Sequence, residues 1–395
     1  MIKIRLRRNL KYLFLYFMYS LLEKNTFDNI FRMAYRINPF HEKLYLFSFA
    51  NIFGGLSIYL YQTNSLKKKG KIKYFGINLI HNKKYISNDG KFKKGLLIFI
   101  ASIFDAFNLI IAPFSNFSIN TKSEKSRLSS FQIISSALIC KYAFGFKVKN
   151  HHKISLIIIG LLIILFIIID IIYAFYYRTN KAIFQYFLII YYNILFSFSS
   201  CIEKYLVDAN YMNPFFILML EGVFQLIMAL LFTIKINPFN NIRTVYKTFS
   251  IGYFIGLIIL YIFELASLII VNIYRIYCNV IYSPMARSLM DYMLNPIVNI
   301  INYFMQKEEF YRNILYLIII EIICFFISIF GCVFNEYIIL YCCGLEYETQ
   351  DVIADRANDT ENIYSLNNEK LIDNNDEISD NDNNDSEYSD RNTAI

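Results

Sequence analysis

The chain has 395 residues, of which 56% are hydrophobic and only 18% charged, with a formal net charge of +8. A water-soluble chain of this length would make about two or three domains with roughly 45–50% apolar residues, so the excess excludes an ordinary soluble protein and places the chain in a bilayer. Seven cysteines, scattered mostly within apolar spans, lack the paired spacing of a zinc site and, being odd in number, do not suggest a disulfide framework.

The N-terminus carries Lys3, Arg5, Arg7 and Arg8 before the apolar stretch Leu10–Leu22, in the manner of a signal peptide. Glu23-Lys24-Asn25 follows instead of a small-residue cleavage site, so this stretch is read as a first membrane segment. Apolar runs then predict ten spans, at about 9–23, 44–61, 95–114, 128–146, 154–175, 182–203, 214–234, 249–272, 277–304 and 313–343. The fifth holds one charge, Asp170, between Ile154 and Phe175. An ordinary aromatic belt is missing, because the chain has no Trp, although its 33 Tyr can serve.

Residues 103–111, Ile-Phe-Asp-Ala-Phe-Asn-Leu-Ile-Ile, match residues 262–270, Ile-Phe-Glu-Leu-Ala-Ser-Leu-Ile-Ile, at five of nine positions. The acidic position stays acidic, as Asp105 or Glu264. After each copy comes a loop and then a second short motif, Ser129–Ser135 or Ser283–Arg287. Such a repeat points to a duplicated bundle with its polar groups turned inward. The expected fold is therefore an all-α membrane protein of ten transmembrane helices in two inverted five-helix repeats, residues 1–177 and 178–345. Repeats with an odd number of crossings enter the membrane from opposite sides, and such pairs place their site near the midplane.

Orientation follows from Lys and Arg in the connections. With a cytosolic N-terminus, the inward side holds about 20 of them, Lys204 and Arg275 included, against about 14 outside. Much of the difference comes from ten lysines in residues 62–94, a solvated face near anionic headgroups rather than a nucleic-acid site. From Glu346 onward fifteen acidic residues stand against three basic ones, which predicts a disordered acidic cytosolic tail, 346–395. Within it Ser386 and Ser389 suit an acid-directed kinase or merely belong to a solubilising tail. Cys342 and Cys343 are either palmitoylation sites or helix-end packing residues.

A charge at the centre of a membrane helix costs about 2.5–3.5 kcal/mol on insertion scales. Asp105, Asp170, Glu203, Lys204, Glu221, Glu264, Arg287, Asp291 and Glu321 must therefore face a partner, a cavity or water. Arg287 and Asp291, four residues apart, share a helix face and form either a substrate-exchanging pair or a permanent ion pair. Lys204 is expected to snorkel to the cytosolic surface. Glu221, beside Gly222, is either a proton-binding coupling group or a buried hydrogen-bonded carboxyl. Asn108, Gln132, Ser135 and Ser136 suit a hydroxyl-rich ligand and equally suit bonds between helices. No catalytic, phosphate-binding or metal pattern lies in the spans, and the four His (41, 81, 151, 152) fall outside them. Neither cofactor nor metal is expected, and the chain is not expected to be an enzyme.

In their order, Phe104-Asp105, Ser129-Ser130-Phe131-Gln132, Glu203-Lys204-Tyr205, Pro214 with Glu221-Gly222, and Ser283-Pro284-Met285-Ala286-Arg287-Ser288-Leu289-Met290-Asp291 carry a resemblance over roughly residues 10–343. The chain resembles the drug/metabolite transporter superfamily, and most closely the F-type members of the nucleotide-sugar-transporter-like solute carrier family 35. That resemblance implies alternating access, both termini cytosolic, and an endomembrane setting such as Golgi, lysosome-like or vacuolar membranes. Two departures matter: Ser135 stands where such relatives tend to carry Arg, and the Gly-Ala/Leu-Asn-x-Lys motif of guanine-nucleotide-sugar carriers is absent. The expected function is a secondary carrier of a small organic solute, working by exchange or proton coupling. Asp105, Asn108, Gln132, Glu264, Arg287 and Asp291 would line the cavity, with Glu221 as coupling group. Its partners would be the solute and the lipid bilayer, with no nucleic acid and with homodimerisation left open. The alternative is a carrier-fold scaffold or receptor acting through its acidic tail.

Overall fold

Two proline-led helix starts set the register of the second half. Asn213 precedes Pro214, and its side-chain oxygen accepts the backbone N–H groups of Phe215 (2.9 Å) and Phe216 (3.4 Å). Ser283 precedes Pro284 and accepts the Ala286 N–H at 2.9 Å through its hydroxyl oxygen. In both places a polar cap is followed by Pro at the first helical position, where its missing N–H has no intrahelical partner to lose.

The structure is a computed structural model that describes residues 2–4, 11–33, 40–65, 94–117, 128–176, 183–208, 212–233, 251–305, 314–340, 344–349 and 352. Among the described residues there are ten helices: α1 Lys11–Met33, α2 Phe40–Ser65, α3 Lys94–Phe117, α4 Phe131–Phe144, α5 Asn150–Tyr176, α6 Ile183–Asp208, α7 Pro214–Thr233, α8 Ile251–Ile281, α9 Pro284–Met305 and α10 Ile314–Phe334. Each overlaps an expected span, but α8 runs past the expected end at residue 272 into the expected ninth span, so that the break falls at Tyr282–Ser283, and α10 ends at Phe334, short of the expected residue 343. The described residues fall into two units, one within residues 2–339 and the other made of Leu340, residues 344–349 and residue 352. In the smaller one a 3-10 turn spans Leu345–Glu348. The lysine-rich loop 66–93, Cys342 and Cys343, and the tail beyond residue 352 lie outside the described residues.

Stretches of α2, α5, α6, α7 and α8 are long and apolar enough to cross a membrane, and α4 and α10 add shorter apolar helices. The exposed face of α5 is made of Ile157, Leu161, Ile164, Ile168 and Ile172, whereas its Asp170 is fully buried. Oily residues outside and charges inside reverse the soluble pattern and match a bundle solvated by lipid.

Within the larger unit α2 packs on α7, α1 on α8, α3 on α6, α5 on α10 and α4 on α9, while α8 also meets α2 and α3 also meets α7. The crossing of α2 and α7 depends on two glycines. A Cβ on Gly55 would lie 2.6 Å from the Met219 nitrogen and 2.7 Å from the Phe215 carbonyl oxygen. One on Gly222 would lie 2.8 Å from both the Ile52 nitrogen and the Ser48 carbonyl oxygen. Backbone meets backbone at each point, which only glycine permits. The largest core cluster joins α4, α5, α6, α9 and α10 through Ile133, Ile159, Cys201, Leu289 and Phe334.

After α10 the chain turns sharply. Tyr337 N–H bonds to the Cys332 carbonyl at 2.8 Å and Glu336 N–H to the Val333 carbonyl at 3.1 Å. Glu336 takes part with φ 58°, the left-handed position at which such helix ends usually place Gly. Strands β1 (Ile2–Ile4) and β2 (Ile338–Leu340) form a two-stranded sheet, bringing residues 2–4 beside Ile338 and Ile339.

Candidate substrate and ion site

Residues three and four apart share a helix face, and two such stripes supply the polar interior. On α6 the stripe is Asn193, Ser197, Ser200, Glu203 and Lys204; on α8 it is Asn272, Arg275 and Asn279; all are buried.

Where the stripes meet, Arg275 gathers three carboxylates from three other helices. Its Nη1 lies 3.4 Å from Asp105 Oδ2 on α3. Nη2 lies 3.0 Å from Glu203 Oε1 on α6 and 3.4 Å from Glu221 Oε2 on α7. Around them, Gln225 Nε2 donates to Asp105 Oδ2 (3.3 Å), Asn51 Nδ2 donates to Gln225 Oε1 (2.8 Å), and Asn279 Nδ2 donates to Glu203 Oε2. The guanidinium also lies over the Phe47 ring, 5.7 Å from its centroid. Asp105 and Glu221, expected in the cavity and coupling roles, are thus brought together, and Glu203 joins them.

The second centre is Arg287. Its Nε lies 3.6 Å from Asp291 Oδ2, the expected pair one turn apart on α9. Nη1 donates to Ser200 Oγ at 2.6 Å, and the guanidinium carbon sits 4.2 Å from the centre of the Phe196 ring. Tyr16 on α1 donates its hydroxyl to Asp291 Oδ1 at 2.6 Å. Asp291 is the more open member, with a side chain 20% exposed against 2% for Arg287. Ser288, the next residue, is buried too, and its hydroxyl donates to the Pro284 carbonyl at 2.9 Å.

The other expected cavity residues are engaged between helices. Gln132 Nε2 donates to Asn193 Oδ1 at 3.0 Å, and Ser135 Oγ lies 2.6 Å from Ser197 Oγ, so both join α4 to α6. The Asn108 amide, with its oxygen and nitrogen exchanged, donates to the Tyr192 carbonyl (3.2 Å) and accepts from the Phe196 N–H (3.1 Å), one turn of α6. Glu264 is buried on α8, eleven residues before Arg275 and therefore about 16 Å away along the helix axis. It belongs to a different level of the bundle from the Arg275 cluster.

Two expectations need correcting. Lys204 does not snorkel: it is fully buried, donates to the Val280 carbonyl at 2.6 Å and pairs with Asp208 at 3.3 Å. A buried ammonium with a carbonyl and a carboxylate has no need to reach the surface. Arg275 does not lie in a connection, because α8 continues through it to Ile281. Neither residue is a loop charge. The signal for Arg275 was present in the polar spacing Asn272, Arg275, Asn279, which continues the helical period of the span before it.

A further polar centre escaped the sequence. His151 and His152 lie in the first turn of α5, not outside the membrane-length segment. His151 Nε2 lies 3.3 Å from Glu336 Oε1, with His152 Nε2 at 4.0 Å and Lys149 Nζ at 3.9 Å. Their separation in sequence hid them. Donor atoms of His151, His152 and Glu336 lie within 4.8 Å of one another, close enough for a metal ion. His152 is ill suited to hold one there, because its Nδ1 accepts the Lys149 N–H at 3.2 Å. That bond leaves the ring proton on Nε2, the atom that would have to ligate. Asp170, at the far end of α5, accepts the hydroxyls of Tyr186 on α6 and Tyr316 on α10.

No protein-family model and no curated protein matches the chain.

Proposed function

We propose that the protein is a secondary transporter that moves a small organic solute across an endomembrane by alternating access, through exchange or proton coupling. The observation that carries this is the Arg275 cluster, in which α3, α6, α7 and α8 each deliver a charged side chain to one buried point. Charges this deep in an apolar bundle are costly and typically mark a substrate or ion path. Arg287 with Phe196, Ser200, Asp291 and Tyr16 offers a second set of groups in the same interior, with the charge, aromatic face and hydroxyls that an organic solute would use.

The proposed architecture is ten spans in two inverted five-helix repeats. Its support is a correspondence between helices five apart. The packing of α1 on α8 corresponds to that of α6 on α3, α2 on α8 to α7 on α3, and α4 on α6 to α9 on α1. The same sequence interval separates Gly55 from Gly222, Ser48 from Phe215, and Ile52 from Met219, the residues that meet where α2 crosses α7. Pairing of β1 with β2 favours both ends of the bundle chain on one side, as an even number of crossings requires. The ordered motifs from Phe104-Asp105 through Asp291 support a place among drug/metabolite transporters.

Purified protein in liposomes, offered a panel of labelled solutes, tests the proposal. Uptake of at least one solute is expected, and Arg287→Ala should abolish it while the protein still folds. Wild-type uptake in that variant would reject the site. Deletion of residues 346–395 should leave transport intact; a scaffold acting through its tail would instead lose its effect.

A further inference from the structure

The charges at Arg275 do not balance. One guanidinium, which stays positive in any protein setting, faces three carboxylates among the described residues, leaving two negative charges uncompensated. All four side chains are at most 4% exposed. The neighbouring buried cations are committed elsewhere: Arg287 is paired with Asp291, and Lys204 with Asp208. Each unpaired ion in such a setting costs several kcal/mol.

Hydrogen bonding shows the same deficit. Asn51 spends its amide nitrogen on Gln225, and Asn279 spends its own on Glu203. The amide oxygens of both, together with Glu221 Oε1, are buried acceptors without a hydrogen bond among the described residues. Against these three acceptors, one buried donor of the same groups, Arg275 Nε, is without a hydrogen bond among the described residues. A carboxyl group that binds a proton removes one negative charge and adds one donor, correcting both shortages at once. The three carboxylates have oxygens within 4.8 Å of one another, close enough for a metal ion in principle. A metal would have to settle beside the guanidinium already lodged among those oxygens at 3.0–3.4 Å. A proton adds to the oxygen itself and meets no such competitor.

We propose that Asp105, Glu203 and Glu221 form a proton-binding site that takes up two protons, and that the proton is the coupling ion. Its role as a coupling ion rests on the transport proposal above. Asp105 comes from the first half of the chain and the other three groups from the second. Movement of one half against the other draws Asp105 from Arg275, changes the charge the cluster can hold, and so takes up or releases protons to water on the open side.

The test uses the full chain, purified in nanodiscs without substrate. Infrared spectra at neutral pH should show the C=O stretch of protonated carboxyl groups, and Glu221→Gln and Asp105→Asn should each remove part of that band. Both variants imitate the protonated form, so they should fold and melt no lower than wild type. Absence of the band in wild type, or a band that neither variant diminishes, would overturn the proposal. So would a rise in melting temperature with sodium chloride over choline chloride that Glu221→Gln abolishes, which would assign the site to sodium. If these variants fail to fold, Glu203→Gln takes their place, and a band that it does not diminish overturns the proposal. A band without solute uptake would leave the proton site standing and remove the transport proposal; uptake without the band would do the reverse.

Discussion

Arg275 Nη2 and Glu203 Oε1 stand 3.0 Å apart, joining α8 to α6 in the middle of an apolar bundle. Removing a partner from a buried ion pair strands the other charge, at a cost of about 3–5 kcal/mol. Here one removal takes the shared cation from three carboxyl groups and strands the charge that remains on them. Arg275→Ala should therefore melt far below wild type or fail to fold. Combining it with Asp105→Asn, Glu203→Gln and Glu221→Gln should restore much of the loss, because no carboxylate is then left to strand. Thermal unfolding of the detergent-purified proteins measures this, and a quadruple variant no better than Arg275→Ala alone would deny that the three carboxyl groups share one cation.

Arg287 makes a different demand. It meets Asp291 through Nε, Ser200 through Nη1 and the Phe196 ring with its guanidinium carbon 4.2 Å from the ring centre. Lysine supplies charge without the planar fork, so Arg287→Lys keeps the attraction to Asp291 and loses the other two geometries. A hydrogen bond from a charged group to the solute is worth about 1.5–3 kcal/mol, so losing one weakens affinity by about tenfold or more. The expected outcome is apparent solute affinity weakened by about tenfold in Arg287→Lys and no uptake in Arg287→Ala, read from initial rates in liposomes. Equal affinity in wild type and the Arg287→Lys variant would show that charge alone is used.

Both centres also show what the amino-acid sequence reveals and what it conceals. Asp105, Glu221, Arg287 and Asp291 stand out because each is a charge within a long apolar run. The helix starts at Pro214 and Pro284 are written in local cap chemistry, Asn213 and Ser283. Arg275 escapes for a physical reason. Only Tyr282 and Ser283 separate α8 from α9, and a charged residue in that nearly continuous stretch looks like the missing loop. Lys204 follows the same logic, since a cation near a helix end is assigned to the interface until its Val280 and Asp208 partners are seen. Gln132 and Asn108 are ambiguous in sequence because the same amide that could hold a solute can join two helices, and here each is bonded to α6.

The α2–α7 crossing predicts a sharp contrast among glycines. A methyl group at Gly55 or Gly222 would press on opposing backbone atoms at 2.6–2.8 Å, and backbone cannot step aside without moving a helix. Overpacking of this kind costs about 1–3 kcal/mol, occasionally more. Gly55→Ala and Gly222→Ala should both lower the melting temperature clearly. Gly252→Ala is the control: a Cβ there has nothing within 4 Å, and Ala is the better helix former. Its melting temperature should equal or exceed that of wild type. Equal tolerance at all three positions would contradict the close crossing.

Glu336 combines an unfavourable backbone with a useful side chain. Its φ of 58° is left-handed, which costs an L-residue about 1–2 kcal/mol relative to glycine, while its carboxylate faces His151 Nε2 at 3.3 Å. Glu336→Gly and Glu336→Ala both lose the carboxylate, but only glycine relieves the backbone. The two variants therefore isolate the backbone contribution, less the extra freedom glycine gives the unfolded chain. Glu336→Gly should be the more stable of the pair by about 1 kcal/mol, a difference that chemical denaturation can resolve. Should alanine match or surpass glycine, the turn after α10 does not hold its left-handed form, and the carboxylate has some other route to His151. Glycine's advantage, by contrast, would mean that the chain tolerates a strained residue at this turn in order to keep an acid beside two buried histidines.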